Sequence, residues 1–137
     1  QSALAISQLD RINKFIKKRR SIAKIYDKHF SNITSIELPQ KKFREFSSNH
    51  LYILRINFDS LGISREDLMK NLKRSNIGTQ VHYIPLPMQP LYYEKNYEKK
   101  YINSSKYYNS CLSIPIHYDL NYTDQMKIIK KIKYYTN

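Results

Sequence analysis

Apolar residues recur mainly at three- and four-residue steps near the start of this 137-residue chain: Leu4, Leu9, Ile12, Phe15, Ile16, Ile22 and Ile25. That spacing lines one face of a helix and predicts a single long amphipathic helix over 3–30. Arg11, Lys14, Lys17, Lys18 and Lys28 fall on the opposite face, as a solvated helix surface requires. Asn32 and Pro39 mark a loop around a short strand at 34–38. The period then changes. Residues 50–58 read His-Leu-Tyr-Ile-Leu-Arg-Ile-Asn-Phe, β-branched and aromatic on both faces, which predicts a strand covered on both sides. Ser64, with Asp67 three residues on, forms a capping box for a helix whose inner stripe is Leu68, Met69 and Leu72. Asn76 and Gly78 stop that helix near Ile77, and 79–84 predicts a second strand. Pro85, Pro87 and Pro90 then bar regular structure, because each lacks an N–H and fixes φ.

The stretch 92–102, rich in Tyr, Lys and Glu, reads as loop, followed by a helix at 103–111. Residues 112–116 form a short strand that Pro115 confines to a sheet edge or strand end. Thr123 caps a last helix, with Met126, Ile129 and Ile132 facing inward and Lys127, Lys130, Lys131 and Lys133 outward. The expected architecture is α/β (or α+β): a single domain over 1–137, with a long first helix and a small, partly antiparallel sheet of three or four strands covered by helices.

Composition modifies this picture in one respect. The hydrophobic share of 41% and charged share of 26% are those of a folded globular chain. The net charge of +13 admits a second class, a basic module that binds nucleic acid through its Lys/Tyr-rich stretch at 92–108. Against it stands a general drift: 17 Lys to 7 Arg, 18 Ile, 13 Tyr and 11 Asn, but only 3 Ala and 2 Gly, the bias AT-rich codons produce. Neither nucleic acid nor membrane is therefore expected as a partner; a non-functional gene fragment is the third reading. No apolar run approaches membrane-spanning length, there is no leader pattern, and Cys111 is the sole cysteine. A cytoplasmic location is the expectation. The helical pattern starts without an N-cap or initiator Met, which suggests a piece of a longer chain.

The candidate chemistry concentrates at 78–90, Gly-Thr-Gln-Val-His-Tyr-Ile-Pro-Leu-Pro-Met-Gln-Pro, where a helix stop leads through a strand into a rigid loop. His82 can donate to a phosphate or a sugar hydroxyl, and Tyr83 can stack on a ring or bond through its hydroxyl; alternatively both are structural. His50, opening the central strand, reads first as a structural histidine. Arg55, within an apolar strand, needs an acceptor: a carboxylate of this protein or a ligand anion. His29 and His117 carry no assigned role, and Cys111 reads as a buried thiol. The chain has no zinc-ligand spacing, no Gly-rich phosphate loop, no nucleophilic triad and no lysine in a Schiff-base context, so no catalytic residue is assigned within it.

In order and spacing these segments resemble the DegT/DnrJ/EryC1/StrS sugar aminotransferases. Q-S-A-L-A-I-S-Q-L at 1–9, followed by Arg19 and Arg20, resembles the family's Q-A-A-L-G-L-x-Q-L helix. H-L-Y at 50–52 is similar to its H-x-Y segment, and I-G-T-Q-V-H-Y-I-P-L at 77–86 to its G-I-x-x-x-V-H-Y-x-P-L region, which Gln89 and Pro90 continue. Tyr107 and Tyr108 with C-L-S-I-P-I at 111–116 resemble Y-Y-x-x-x-L-S-L-P-L, and Leu120 with Thr123 and Asp124 its L-T-D helix start. The version at 78–86 most resembles the branch acting on UDP-linked 4-keto-6-deoxy-N-acetyl sugars, on the way to pseudaminic or legionaminic acids. The resemblance implies the small C-terminal domain of a fold-type-I enzyme whose pyridoxal phosphate and Schiff-base lysine belong to a large domain upstream. It further implies a homodimer, a nucleotide-sugar substrate, glutamate as amino donor, and a role in cell-surface polysaccharide or glycan synthesis. His82, Tyr83, Pro85, Gln89 and His50 become the expected substrate-binding residues. One departure bears on specificity: relatives often carry histidine where this chain has Pro87.

Overall fold

The computed structural model describes residues 2–39, 42 and 44–136. Two helices open the chain, α1 (Ser2–Leu9) and α2 (Ile12–Phe30), where the sequence predicts one. The interruption falls at Asp10 and Arg11, where the Arg11 N–H reaches back only three residues, to the Gln8 carbonyl at 3.1 Å. Among the described residues α1 is left uncovered: none of its residues is buried, and Leu4, Ile6 and Leu9 are each more than half exposed. The apolar stripe becomes core only from the middle of α2, at Ile22, Ala23, Tyr26 and Phe30.

The sheet has three strands, β1 (Ile36–Glu37), β2 (Tyr52–Ile56) and β3 (Cys111–Ile114), in the order β1-β2-β3. Both pairings are antiparallel, so the sheet is antiparallel throughout. Tyr52, Leu54 and Ile56 of β2 point into the core. Ile53 and Arg55 on the other face are half-buried rather than fully covered. Arg55 resolves its two alternatives within the protein: it donates to Glu37 Oε1 at 2.8 Å, its cross-strand partner, and to Ser110 Oγ at 3.4 Å.

Short α3 (Phe58–Leu61) leads into α4 (Arg65–Arg74). Ser64 caps α4 as predicted, accepting from the Asp67 N–H at 3.0 Å and donating to its carboxylate at 2.7 Å. Asn76, at φ +58°, closes the helix: its left-handed conformation lets the Ile77 N–H reach the Leu72 carbonyl at 2.9 Å. Gly78 has no positive φ and does not share that role.

The strand expected at 79–84 does not form. Only Gln80 pairs, with Ser113, through reciprocal backbone bonds of 3.1 and 2.8 Å. The antiparallel register that sets Gln80 against Ser113 would bring His82 opposite Cys111, the first residue of β3, so the segment beyond it runs off the start of the strand, where α6 ends. The proline segment instead makes two 3-10 turns, Leu86–Met88 and Pro90–Tyr92, and the Glu94 N–H donates to the Pro87 carbonyl at 2.9 Å. The stretch expected as loop contains α5 (Tyr97–Lys100); α6 (Ile102–Ser110) follows, against β2.

The closing helix, α7 (Tyr122–Thr136), is capped by Asn121 and not by Thr123, which lies inside it. Asn121 Oδ1 accepts from the Asp124 N–H at 2.8 Å, and its amide donates to the Asp124 carboxylate at 2.7 Å. Ile128, Ile129 and Ile132 of α7 meet the core side of α2, the sheet and α4. Fully burying each such side chain contributes about 1.5–3 kcal/mol. Three polar contacts index these layers: Gln125 Nε2 donates to the Ile22 carbonyl, Tyr26 hydroxyl to the Pro115 carbonyl, and Ser35 hydroxyl to the Thr136 carbonyl, all at 2.8 Å.

Candidate functional site

A cavity of about 670 Å³ opens where the segment after α4, the end of β3 and the start of α7 converge. Its volume lies within the range of small-molecule sites. His50 and His82 both line it, brought together from positions 32 residues apart in sequence. A third histidine, His117, lines it as well; it follows Pro115 and Ile116 on the chain leaving β3. The sequence offered one sign of this, that His117 immediately follows the 111–116 segment and precedes the last helix. Among the described residues no group of histidine, cysteine and carboxylate side chains is arranged to hold a metal.

His82 is the fixed point of the site. Its Nδ1 lies 2.8 Å from Ser113 Oγ, and Ser113 is buried within β3. The backbone bridge between Ser113 and Gln80 fixes the strand edge two residues before the histidine. The His82–Tyr83 peptide is cis, and the two rings meet edge-to-face at 4.8 Å. Tyr83 is 77% exposed and points away from the core. Tyr83, Pro85 and Gln89 do not line the cavity; they belong to the proline-bracketed loop beyond it, with exposed Leu86, Leu91, Tyr92 and Tyr93. Of the five expected substrate residues, the fold thus assembles His50 and His82 and leaves three on an outward loop.

Lys127 and Asp124, one helical turn apart on α7, also line the cavity. Neither fits a covalently held pyridoxal phosphate. Lys127 is solvent-exposed, and the Asp124 carboxylate is engaged by Asn121. Nor is there a glycine-rich phosphate cradle, since the two glycines are Gly62, on α3's far end, and Gly78. Cys111 is buried, and burial pushes its thiol up, against the opposing pull of Arg65 and Arg55; it is not an activated nucleophile.

The profile of one family covers residues 1–133 of the chain, that of the DegT/DnrJ/EryC1/StrS aminotransferases. The chain belongs to this family. Among its relatives, the UDP-4-amino-4,6-dideoxy-N-acetyl-beta-L-altrosamine transaminase of Campylobacter jejuni is 33% identical over 138 residues, covering 96% of this chain and 36% of the relative. The spore coat polysaccharide biosynthesis protein SpsC of Bacillus subtilis is 31% identical over 137 residues, 97% of this chain and 35% of SpsC. Among solved structures, the PLP-form of the Streptococcus pneumoniae protein Spr1654, classed as a sugar aminotransferase, superposes with a TM-score of 0.82 at 28% identity, over 96% of this chain and 33% of that one. The chain thus spans about a third of the length of these aminotransferases. No helix among the described residues is long and apolar enough to cross a membrane.

Proposed function

We propose that this chain is the C-terminal small domain of a longer pyridoxal-phosphate-dependent aminotransferase that transfers an amino group to a nucleotide-linked keto sugar. The observation that carries the reading is the match along almost the whole chain to the C. jejuni transaminase, which extends well beyond it. In this reading the pyridoxal phosphate and its Schiff-base lysine belong to the rest of the longer protein. This domain's part is to close over the substrate. His50 and His82 supply polar contacts from the cavity wall, while Tyr83, Pro85 and Gln89 stand on a loop stiffened by three prolines. Such a loop loses little entropy when it docks. The exposed apolar side chains at 86–93 suit a surface covered in the assembled enzyme, in keeping with a homodimer. Glutamate is the proposed donor, the cytoplasm the proposed location, and cell-surface polysaccharide or glycan synthesis the proposed role, which the SpsC relationship supports.

The test is spectroscopic. The purified full-length protein, loaded with pyridoxal phosphate, is mixed with glutamate and then with UDP-linked 4-keto-6-deoxy-N-acetyl sugars. The cofactor's absorption band should move to the amine form with glutamate and return when a keto sugar accepts the amino group. A band that never responds to any keto sugar would remove the reading. His82→Ala should raise KM for the sugar by about ten- to a hundredfold, as loss of a hydrogen bond to a charged group costs about 1.5–3 kcal/mol.

A further inference from the structure

We propose that Ser113 fixes His82 as the Nε2–H tautomer, and that the cavity therefore meets its ligand with a hydrogen-bond donor and takes a phosphoryl oxygen there. This deepens the proposed function, on which only its nucleotide arm rests. The argument begins with the Ser113 hydroxyl. It is buried, and its one hydrogen-bond partner among the described residues is His82 Nδ1, 2.8 Å away. A serine hydroxyl has one proton to donate, and leaving a buried donor unmade is costly. If Nδ1 carried the hydrogen, the Ser113 proton would have no acceptor. If Nδ1 is bare, the hydroxyl donates to it and both groups are satisfied. The neutral ring then carries its proton on Nε2, which makes no hydrogen bond within the described protein.

The backbone that carries the serine is fixed on both sides. Its own N–H and carbonyl are both bonded to Gln80, and on the other side of β3 it is in register with Ile53 of β2. The rest of the lining favours an acceptor-rich ligand. His50 and His117 add two imidazoles, and Lys127 an ammonium. Asp124 is the single carboxylate of the lining, and Asn121 already donates to it at 2.7 Å. A phosphoryl oxygen has only acceptor capacity, so it pairs with Nε2–H and gains from Lys127.

The experiment uses the protein with 15N-labelled histidine. Long-range proton–nitrogen spectra distinguish a bare Nδ1 from a protonated one. The expected result is an Nε2–H tautomer for His82 in the wild type, and a mixture of both tautomers in Ser113→Ala with an otherwise unchanged backbone spectrum. Ser113→Thr, which keeps the hydroxyl, should restore the single tautomer. An Nδ1–H form in the wild type, or an Ser113→Ala spectrum identical to wild type, overturns the assignment. For the ligand, inorganic phosphate and UDP are titrated separately. A shift of the His82 nitrogens with both assigns the site to a phosphate group alone. A shift with UDP only assigns it to the nucleotide's diphosphate. No shift with either, at millimolar concentrations, overturns the ligand class. Binding should weaken about fivefold in Ser113→Ala, the change expected for one misaligned hydrogen bond. Aminotransfer by the longer protein is measured independently, so it can persist if this site fails.

Discussion

Tyr52 is fully buried, yet its hydroxyl donates to Asp27 Oδ1 at 2.7 Å while Arg44 grips both oxygens of the same carboxylate at 2.8 and 3.0 Å. Tyr52→Phe should cost about 1–2 kcal/mol, read as a lower Tm, because the carboxylate loses one donor but keeps the guanidinium. Burial also pushes the Tyr52 phenol up, reinforced by the Asp27 bond and charge and opposed by Arg44; burial alone does the same to Tyr26. The sign follows directly. Above about pH 10 the unfolded chain releases these protons and the folded chain retains them, so stability is full below that pH and falls as pH rises through it. Absorbance of phenolate should therefore show two tyrosines titrating only as the protein unfolds. Legibility at this scale was mixed. Arg55 was read correctly as needing an acceptor, because an apolar strand leaves a guanidinium few choices. His117 was assigned no role; it lines the cavity with residues from segments distant in sequence, which only the fold brings to one wall.

Elements were more legible than residues. The helix at α4 and the strand at β2 carry strong local signals, and both lie where the pattern puts them. Failures occurred where a neighbour decided the outcome. The 79–84 segment has β-forming residues, but its register carries it past Cys111, where β3 begins, so only Gln80 joins the sheet. At the last helix two plausible caps stand two residues apart, and Asn121 takes the position. Substitution separates them: Asn121→Ala should destabilise by about 1 kcal/mol, whereas Thr123→Ala should stay within about 0.5 kcal/mol, both measured by urea unfolding. In the core, Leu54→Ala, at a fully buried position of β2, should cost about 2–5 kcal/mol by the same assay.

For the whole molecule, the fold class was readable because periodicity changes cleanly between helix and strand, but the all-antiparallel order needed the registers themselves. The charge of +13 has a consequence at this scale only. Lysines are spread over α2, α6 and α7, and their mutual repulsion opposes compaction. Raising sodium chloride from low to about 0.15 M, where screening acts within about 8 Å, should raise Tm. A fall in Tm would mean that local ion pairs such as Arg44 with Asp27 dominate instead.

The contrast between α1 and the second half of α2 also divides the molecule in time. An eight-residue helix with no buried side chain is held by little beyond its own backbone bonds. Its amides should exchange with deuterium through local fraying, long before those of Ile22 to Phe30, which open only with the global transition. One continuous-looking amphipathic pattern thus encodes two foldons, and the boundary between them is set by where the core begins, near Ile22.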